Sequence, residues 1–171
     1  MPVGNDIEAT LLLLAHEKVR FLVVGGVAVV LHGYLRLTAD LDIVLDLDAG
    51  NVARAVRILE REGFQPRAPV ALSQFADREI RQHWAQEKNM QVLSLWSPSR
   101  AGFELDIFVE EPFAFEQVWT RALTISIEDH AIGLISLPDL IDMKRAAGRP
   151  RDLEDVQALQ KLMSERSDDE S

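Results

Sequence analysis

Apolar residues fall along this chain in short runs whose spacing switches between helical and extended. Ile7 to Lys18 carries them at helical spacing. Phe21-Leu22-Val23-Val24 is an unbroken apolar run that halts at Gly25-Gly26, the pattern of a buried strand feeding a turn, and a second helix is expected from Gly26 to about Tyr34. From Asp40 to Asp48 acidic and apolar residues alternate, so an extended chain turns one acidic and one apolar face. Helical spacing returns over Asn51 to Glu62 through Val52, Ala55, Val56 and Leu59, and Gly63 stands where a C-cap is needed. Pro66 to Asn89 shows no legible period. Gln91 to Trp96 and Phe103 to Val109 read as a hairpin joined by Ser97-Pro98-Ser99-Arg100-Ala101-Gly102. Two further short strands, Leu123 to Ile127 and Ala131 to Ile135, precede two closing helices, Pro138 to Ala147 and Arg151 to Met163.

These elements predict an α/β (α+β) chain, a mixed β-sheet flanked by helices with further helices at the C-terminus. Residues 1–135 form the expected core, 136–163 a helical extension of the same domain, and 164–171 a polar, acidic tail expected to be disordered. A length of 171 residues suits one domain with a full core, and 47% apolar with 27% charged residues is ordinary for a folded protein. The net charge of −10 disfavours a broad nucleic-acid grip, which needs a local excess of Lys and Arg. Cysteine is absent, which removes disulfides, thiolate metal sites and a thiol nucleophile. The run Leu11 to Ala15 is far shorter than the roughly 20 residues that span a bilayer, and Asp6 and Glu8 before it are unlike a signal peptide. A cytoplasmic protein with no membrane partner is expected.

Against that background the acids stand out. Asp40 and Asp42 lie two apart on a predicted strand, so both side chains leave one face with about 6–7 Å between Cα atoms. Asp106 sits mid-strand in Phe103-Glu104-Leu105-Asp106-Ile107-Phe108. Acids flanked by aliphatic residues disfavour a sheet unless something neutralises them, and hard carboxylate oxygens suit a divalent cation such as Mg²⁺. Asp46 and Asp48 are roughly 13 Å or more along the strand from Asp42 and are read as exposed strand-end residues. His16, His32, His83 and His130 lack metal-ligand spacing, and Trp84, Trp96 and Trp119 are assigned to packing. Gly25-Gly26 lacks the third glycine of a dinucleotide-binding fingerprint.

The order Val23-Val24-Gly25-Gly26, helix, Arg36-Leu37-Thr38-Ala39-Asp40-Leu41-Asp42-Ile43, then Glu104-Leu105-Asp106-Ile107 resembles the nucleotidyltransferase superfamily of the polymerase-β type. Together with Leu140-Ile141-Asp142-Met143-Lys144-Arg145-Ala146-Ala147-Gly148-Arg149-Pro150-Arg151-Asp152-Leu153-Glu154-Asp155, it is similar to small bacterial proteins related to AbiEii-type abortive-infection toxins. The resemblance implies a metal-dependent nucleotidyltransferase that moves an NMP from an NTP to an acceptor hydroxyl, in a toxin–antitoxin or defence setting with a possible cognate antitoxin. Asp40, Asp42 and Asp106 would be the catalytic acids and ligands of Mg²⁺ or Mn²⁺, with Asp106 helping to activate the attacking hydroxyl. Gly25, Gly26, Arg36, Thr38 and Lys144 would bind the nucleotide. Many members carry Gly-Ser where this chain has Gly25-Gly26, so backbone donors must serve there. Lys144 to Arg151 holds four cations and no acid, the best phosphate-binding patch in an acidic chain.

Two other readings compete. Asp40-Leu41-Asp42-Ile43-Val44-Leu45 also resembles the nucleophile motif of haloacid-dehalogenase-like phosphatases, but lacks the apolar strand that should precede it and a later Asp-Asp pair. The fold could also persist as a non-catalytic nucleotide- or protein-binding module. Among RNA ends, protein side chains and small hydroxylated molecules, no residue pattern selects the acceptor.

Overall fold

The computed structural model describes residues 3–171. Helix α1 (Val3–His16) is followed by β1 (Phe21–Val24), α2 (Gly25–Leu31), β2 (Asp40–Leu45), α3 (Ala49–Arg61) and the short β3 (Gln65–Pro66). A 3₁₀ turn (Leu72–Ala76) and α4 (Arg78–Glu87) lead to the hairpin β4 (Val92–Trp96) and β5 (Glu104–Phe108). Then come α5 (Phe115–Arg121), β6 (Leu123–Ile127), β7 (His130–Leu134), α6 (Leu137–Ala147) and α7 (Pro150–Asp169).

The strands form one mixed sheet in the order β3-β4-β5-β2-β1-β7-β6. At its centre β2 runs antiparallel to β1 and parallel to β5, so the two acidic strands lie side by side. Alternation along them has the expected consequence. Leu41, Ile43, Leu93, Leu95, Leu105 and Ile107 point to one face and are almost fully buried, each contributing about 1.5–3 kcal/mol by leaving water. The opposite side chains of β4 and β5 are only half-buried.

Several elements depart from the sequence reading for identifiable reasons. Strand β2 stops at Leu45 rather than continuing to Asp48. There Asp46 accepts hydrogen bonds from Arg20 and the Asp48 amide, and Asp48 caps α3 by accepting from the Gly50 and Asn51 amides. The illegible segment is ordered by side chains: Asp77 caps α4, and the buried Arg81 donates to the Phe75 carbonyl. Helix α5 and the two-residue strand β3 have no counterpart in the sequence pattern. Residues from Ser164 are not a disordered tail but continue α7 to Asp169. Ser164 and Ser167 hydroxyls donate to the Gln160 and Met163 carbonyls, and Arg166 ties the helix to the His32 carbonyl at 2.6 Å. Polarity alone misled there, because the last turns are held by a contact distant in sequence.

Candidate active site

Three pieces of chain converge where β1 gives way to α2. Residues Asp42 and Asp106 are direct partners across the parallel β2–β5 pair, and Asp40 faces Glu104 one pleat away. Neighbouring strands stand about 4.8 Å apart, so the Asp42 and Asp106 carboxylates share one small volume. Ser94 on β4 is opposite Asp106 across the antiparallel pair.

Glycine is required at the turn above them. Gly25 adopts φ +64, and a Cβ there would stand 2.7 Å from the Asp42 Cγ. A Cβ on Gly26 would meet the Thr38 hydroxyl at 2.8 Å and the Arg36 guanidinium at 2.9 Å. The glycines therefore make room for protein groups as well as for any phosphate. Helix α2 has no side-chain cap, and the Gly26 amide is close enough to Asp42 to favour its ionised form slightly.

Helices α6 and α7 supply the opposing wall. Ser136 caps α6, and Gly148, in the left-handed conformation at φ 65, ends it and turns the chain into α7. This corner places Lys144 Nζ 3.2 Å from Asp152 and 3.0 Å from Asp155. Arg36 reaches the same Asp155 at 3.0 Å, and Arg149 reaches Asp152 at 2.7 Å. Asp152 and Asp155 are 2% and 1% exposed and Lys144 is 7% exposed, so these charges persist only because each is paired. Burial works to raise the Asp152 pKa, yet hydrogen bonds from Arg149 and Lys144 outweigh it and hold the carboxyl below its usual range. Lys144 has three donors and spends two on these acids, leaving one for a ligand. Asp152 and Asp155 escaped the sequence reading. Their i, i+3 spacing directly after the basic run was the signal that could have revealed them.

The acids and the cationic wall enclose a cleft of about 410 Å³. Gly25, Gly26, Arg36, Thr38, Asp40, Asp42, Asp106 and Lys144 all border it, so every site residue expected from the sequence comes together. Arg149 and Arg151 extend the cationic side, while Phe108, Leu140 and Met143 add apolar surface. The Thr38 hydroxyl donates to the Asp40 carbonyl at 3.3 Å. His32 is a buried structural residue bonded to the Ile135 carbonyl, and His16 meets His130 edge to face. Trp84 is buried and Trp119 stacks on Phe115, as packing residues should. Trp96 differs, lying half-exposed on the acidic face of β4.

Electrostatics fit a cation between the acids. Burial, then repulsion from Asp106, pushes the Asp42 carboxyl up to about 7 against the pull of Lys144. Asp106 is raised chiefly by burial, partly offset by the neighbouring Ser94 hydroxyl. Asp40 is raised by burial and by Glu104. The Asp106 Oδ1 is inaccessible and has no hydrogen-bond partner. Among the described residues no three acids or imidazoles close into a cage by themselves. A hard cation held by one or two carboxylates and completed by substrate phosphates needs no such cage, and the Asp42–Asp106 pair suits it.

A mixed sheet bearing Asp-x-Asp on one central strand, a third Asp on its parallel neighbour and a glycine turn above them defines the nucleotidyltransferase fold. The chain belongs to the family described as nucleotidyltransferase of unknown function (DUF6036), which it matches over residues 4–168. It is thus an enzyme of the nucleotidyltransferase class rather than an Asp-x-Asp phosphatase. Among solved structures it is similar to the lincosamide antibiotic adenylyltransferase LnuA in its lincomycin-bound crystal form. That likeness has a TM-score of 0.62 and 20% identity, and covers 92% of this chain and 96% of the other. Comparison with curated proteins finds no match. Among the described residues no helix is long and apolar enough to cross a membrane.

Proposed function

We propose that this chain transfers an NMP group from an NTP to the hydroxyl of an acceptor, in a reaction that depends on a divalent metal such as Mg²⁺ or Mn²⁺. The observation that carries this reading is the pairing of Asp42 with Asp106 at the floor of a cleft whose far wall is cationic. When bound, the metal would neutralise the paired carboxylates and stabilise charge on the phosphate oxygens. Asp42 and Asp106 would hold it, with Asp40 at the rim.

Lys144, Arg36 and Arg149, fixed by Asp152 and Asp155, receive the polyphosphate, and Arg151 stands at the outer end of the same wall. Gly25 and Gly26 let the chain approach closely. The acceptor oxygen forms a bond to the α-phosphorus while the bond to the bridging oxygen breaks, releasing pyrophosphate. The hydroxyl proton passes to the Asp106 carboxylate, which borders the cleft beside Asp42. Positioning and charge stabilisation dominate such transfers.

The adenylyltransferase neighbour supports a small-molecule acceptor, and the net charge of −10 weighs against long nucleic acid. The AbiEii-like motif order adds a toxin–antitoxin or defence setting in the cytoplasm to the proposal. Incubation with each α-labelled NTP, Mg²⁺ or Mn²⁺, and separate pools of small molecules, protein and RNA tests the reaction. We expect metal-dependent label on an acceptor, lost in Asp42→Asn and Asp106→Asn. Transfer at the original rate by either variant overturns the site. Metal-independent nucleotide binding with no labelled product favours the binding-module reading, and growth arrest on expression that Asp42→Asn relieves supports the toxin setting.

A further inference from the structure

The cleft accounts for one approach to Asp106; the sheet offers another. Phosphate-binding groups lie on the α2, α6 and α7 side, so an acceptor reaches Asp106 over β5, β4 and β3. The face there is half-exposed: Glu104, Asp106 and Phe108 from β5 stand beside Ser94 and Trp96 from β4. The register pairs Ser94 with Asp106 and Leu95 with Leu105, so its next step sets Trp96 beside Glu104. Across the parallel pair, Glu104 also faces Asp40.

This corner already holds a cation. Strand β3 delivers Arg67, whose amide donates to the Ser94 carbonyl at 2.8 Å. The Arg67 guanidinium lies 5.3 Å from the centre of the Trp96 ring, and its Nε is 3.5 Å from the Glu104 carboxylate. An aromatic face with a carboxylate at its edge is the arrangement that binds organic cations. The Arg67 side chain is 54% exposed, and among the described residues its one ion pair is this long one, so an incoming cation can displace it from the Trp96 ring and Glu104. Glu104 and Asp106 are separated by about 6–7 Å on one strand face, close to the width of a sugar ring.

Building on the transfer reaction above, we propose that the acceptor is a small hydroxylated amine whose cationic group seats between Trp96 and Glu104 while its hydroxyl lies at Asp106. Charge complementarity selects it. An ammonium relieves the repulsion among Asp40, Glu104 and Asp106, whereas an RNA end brings phosphates against all three. Arg67 acts as a resident competitor that a cationic acceptor replaces.

The test is a calorimetric titration of the full chain with Mg²⁺, with and without α,β-methylene-ATP. The probes are β-1,4-linked diglucosamine, which is cationic, and its N,N′-diacetyl form, which is neutral and keeps the hydroxyls. We expect diglucosamine to bind at least tenfold more tightly than the diacetyl form. Glu104→Gln should erase that preference, and Trp96→Leu should reduce it severalfold. Arg67→Ala should tighten diglucosamine about threefold or more by vacating the seat. All three variants should keep the wild-type melting temperature within about 2 °C and the nucleotide affinity within about twofold.

Equal binding of the two sugars, no binding of either, weakening by Arg67→Ala, or displacement of diglucosamine by a tRNA pool overturns the proposal. Failure of the nucleotide analogue to bind in the same titrations counts instead against the transfer reaction.

Discussion

Replacing Asp42 by Asn should stabilise the metal-free protein while abolishing its activity. The carboxyl is pushed from 3.8 to about 7, first by burial and then by Asp106 across the strand pair. At about 1.4 kcal/mol per tenfold change in proton affinity, that displacement sets a ceiling of roughly 4 kcal/mol on the cost of ionising Asp42 in the folded chain. Structural relaxation and water entry reduce the recoverable part to about 1–3 kcal/mol. For a chain of 171 residues this amounts to roughly 3–10 °C in melting temperature.

The pH dependence has a definite sign. A carboxyl whose folded pKa is raised contributes stability while protonated, and that contribution is lost as pH rises from about 4 through about 7. The margin of Asp42→Asn over wild type should therefore widen between pH 4 and 7 and level off above. Saturating Mg²⁺ should raise wild-type stability and leave the variant unmoved, closing the gap. Thermal denaturation of both chains in a chelator and in Mg²⁺, across this pH range, reads all of it. A variant less stable than wild type without metal, or a margin flat with pH, would show that the paired carboxylates are not in electrostatic conflict.

Asp106→Asn should reduce transfer by about 10³-fold or more while nucleotide affinity changes only severalfold, as separate turnover and binding measurements would show. Lys144→Met strands Asp152 and Asp155, buried at 2% and 1% exposure, without their shared cation. It should cost about 3–5 kcal/mol by denaturant unfolding, together with weaker nucleotide binding. Gly25→Ala forces a side chain into φ +64 and against the Asp42 carboxylate. A loss of about 1–2 kcal/mol from the backbone alone is expected, with activity falling further than stability. Removing residues 164–171 takes away the Arg166 bond to the His32 carbonyl and should lower stability by about 1 kcal/mol or more.

What the sequence determined by itself was the strand framework and which acids turn to one face of it. Period-two alternation through Asp40-Leu41-Asp42-Ile43 and Leu105-Asp106-Ile107 is a local property, because successive side chains of a strand must point to opposite faces. The glycine turn after Val24 was equally legible, since a left-handed turn excludes most other residues. Tertiary structure decided the rest. The pairing of Asp42 with Asp106 depends on β2 lying beside β5, strands separated in sequence by α3, β3, the 3₁₀ turn, α4 and β4. The commitment of Lys144 to Asp152 and Asp155 depends on the fold-back of α7 at Gly148. The ordered end of α7 and the seat of Arg67 over Trp96 likewise arise from contacts between distant segments. Periodicity carries no record of those meetings, because it reports which face a residue turns and not what that face will meet.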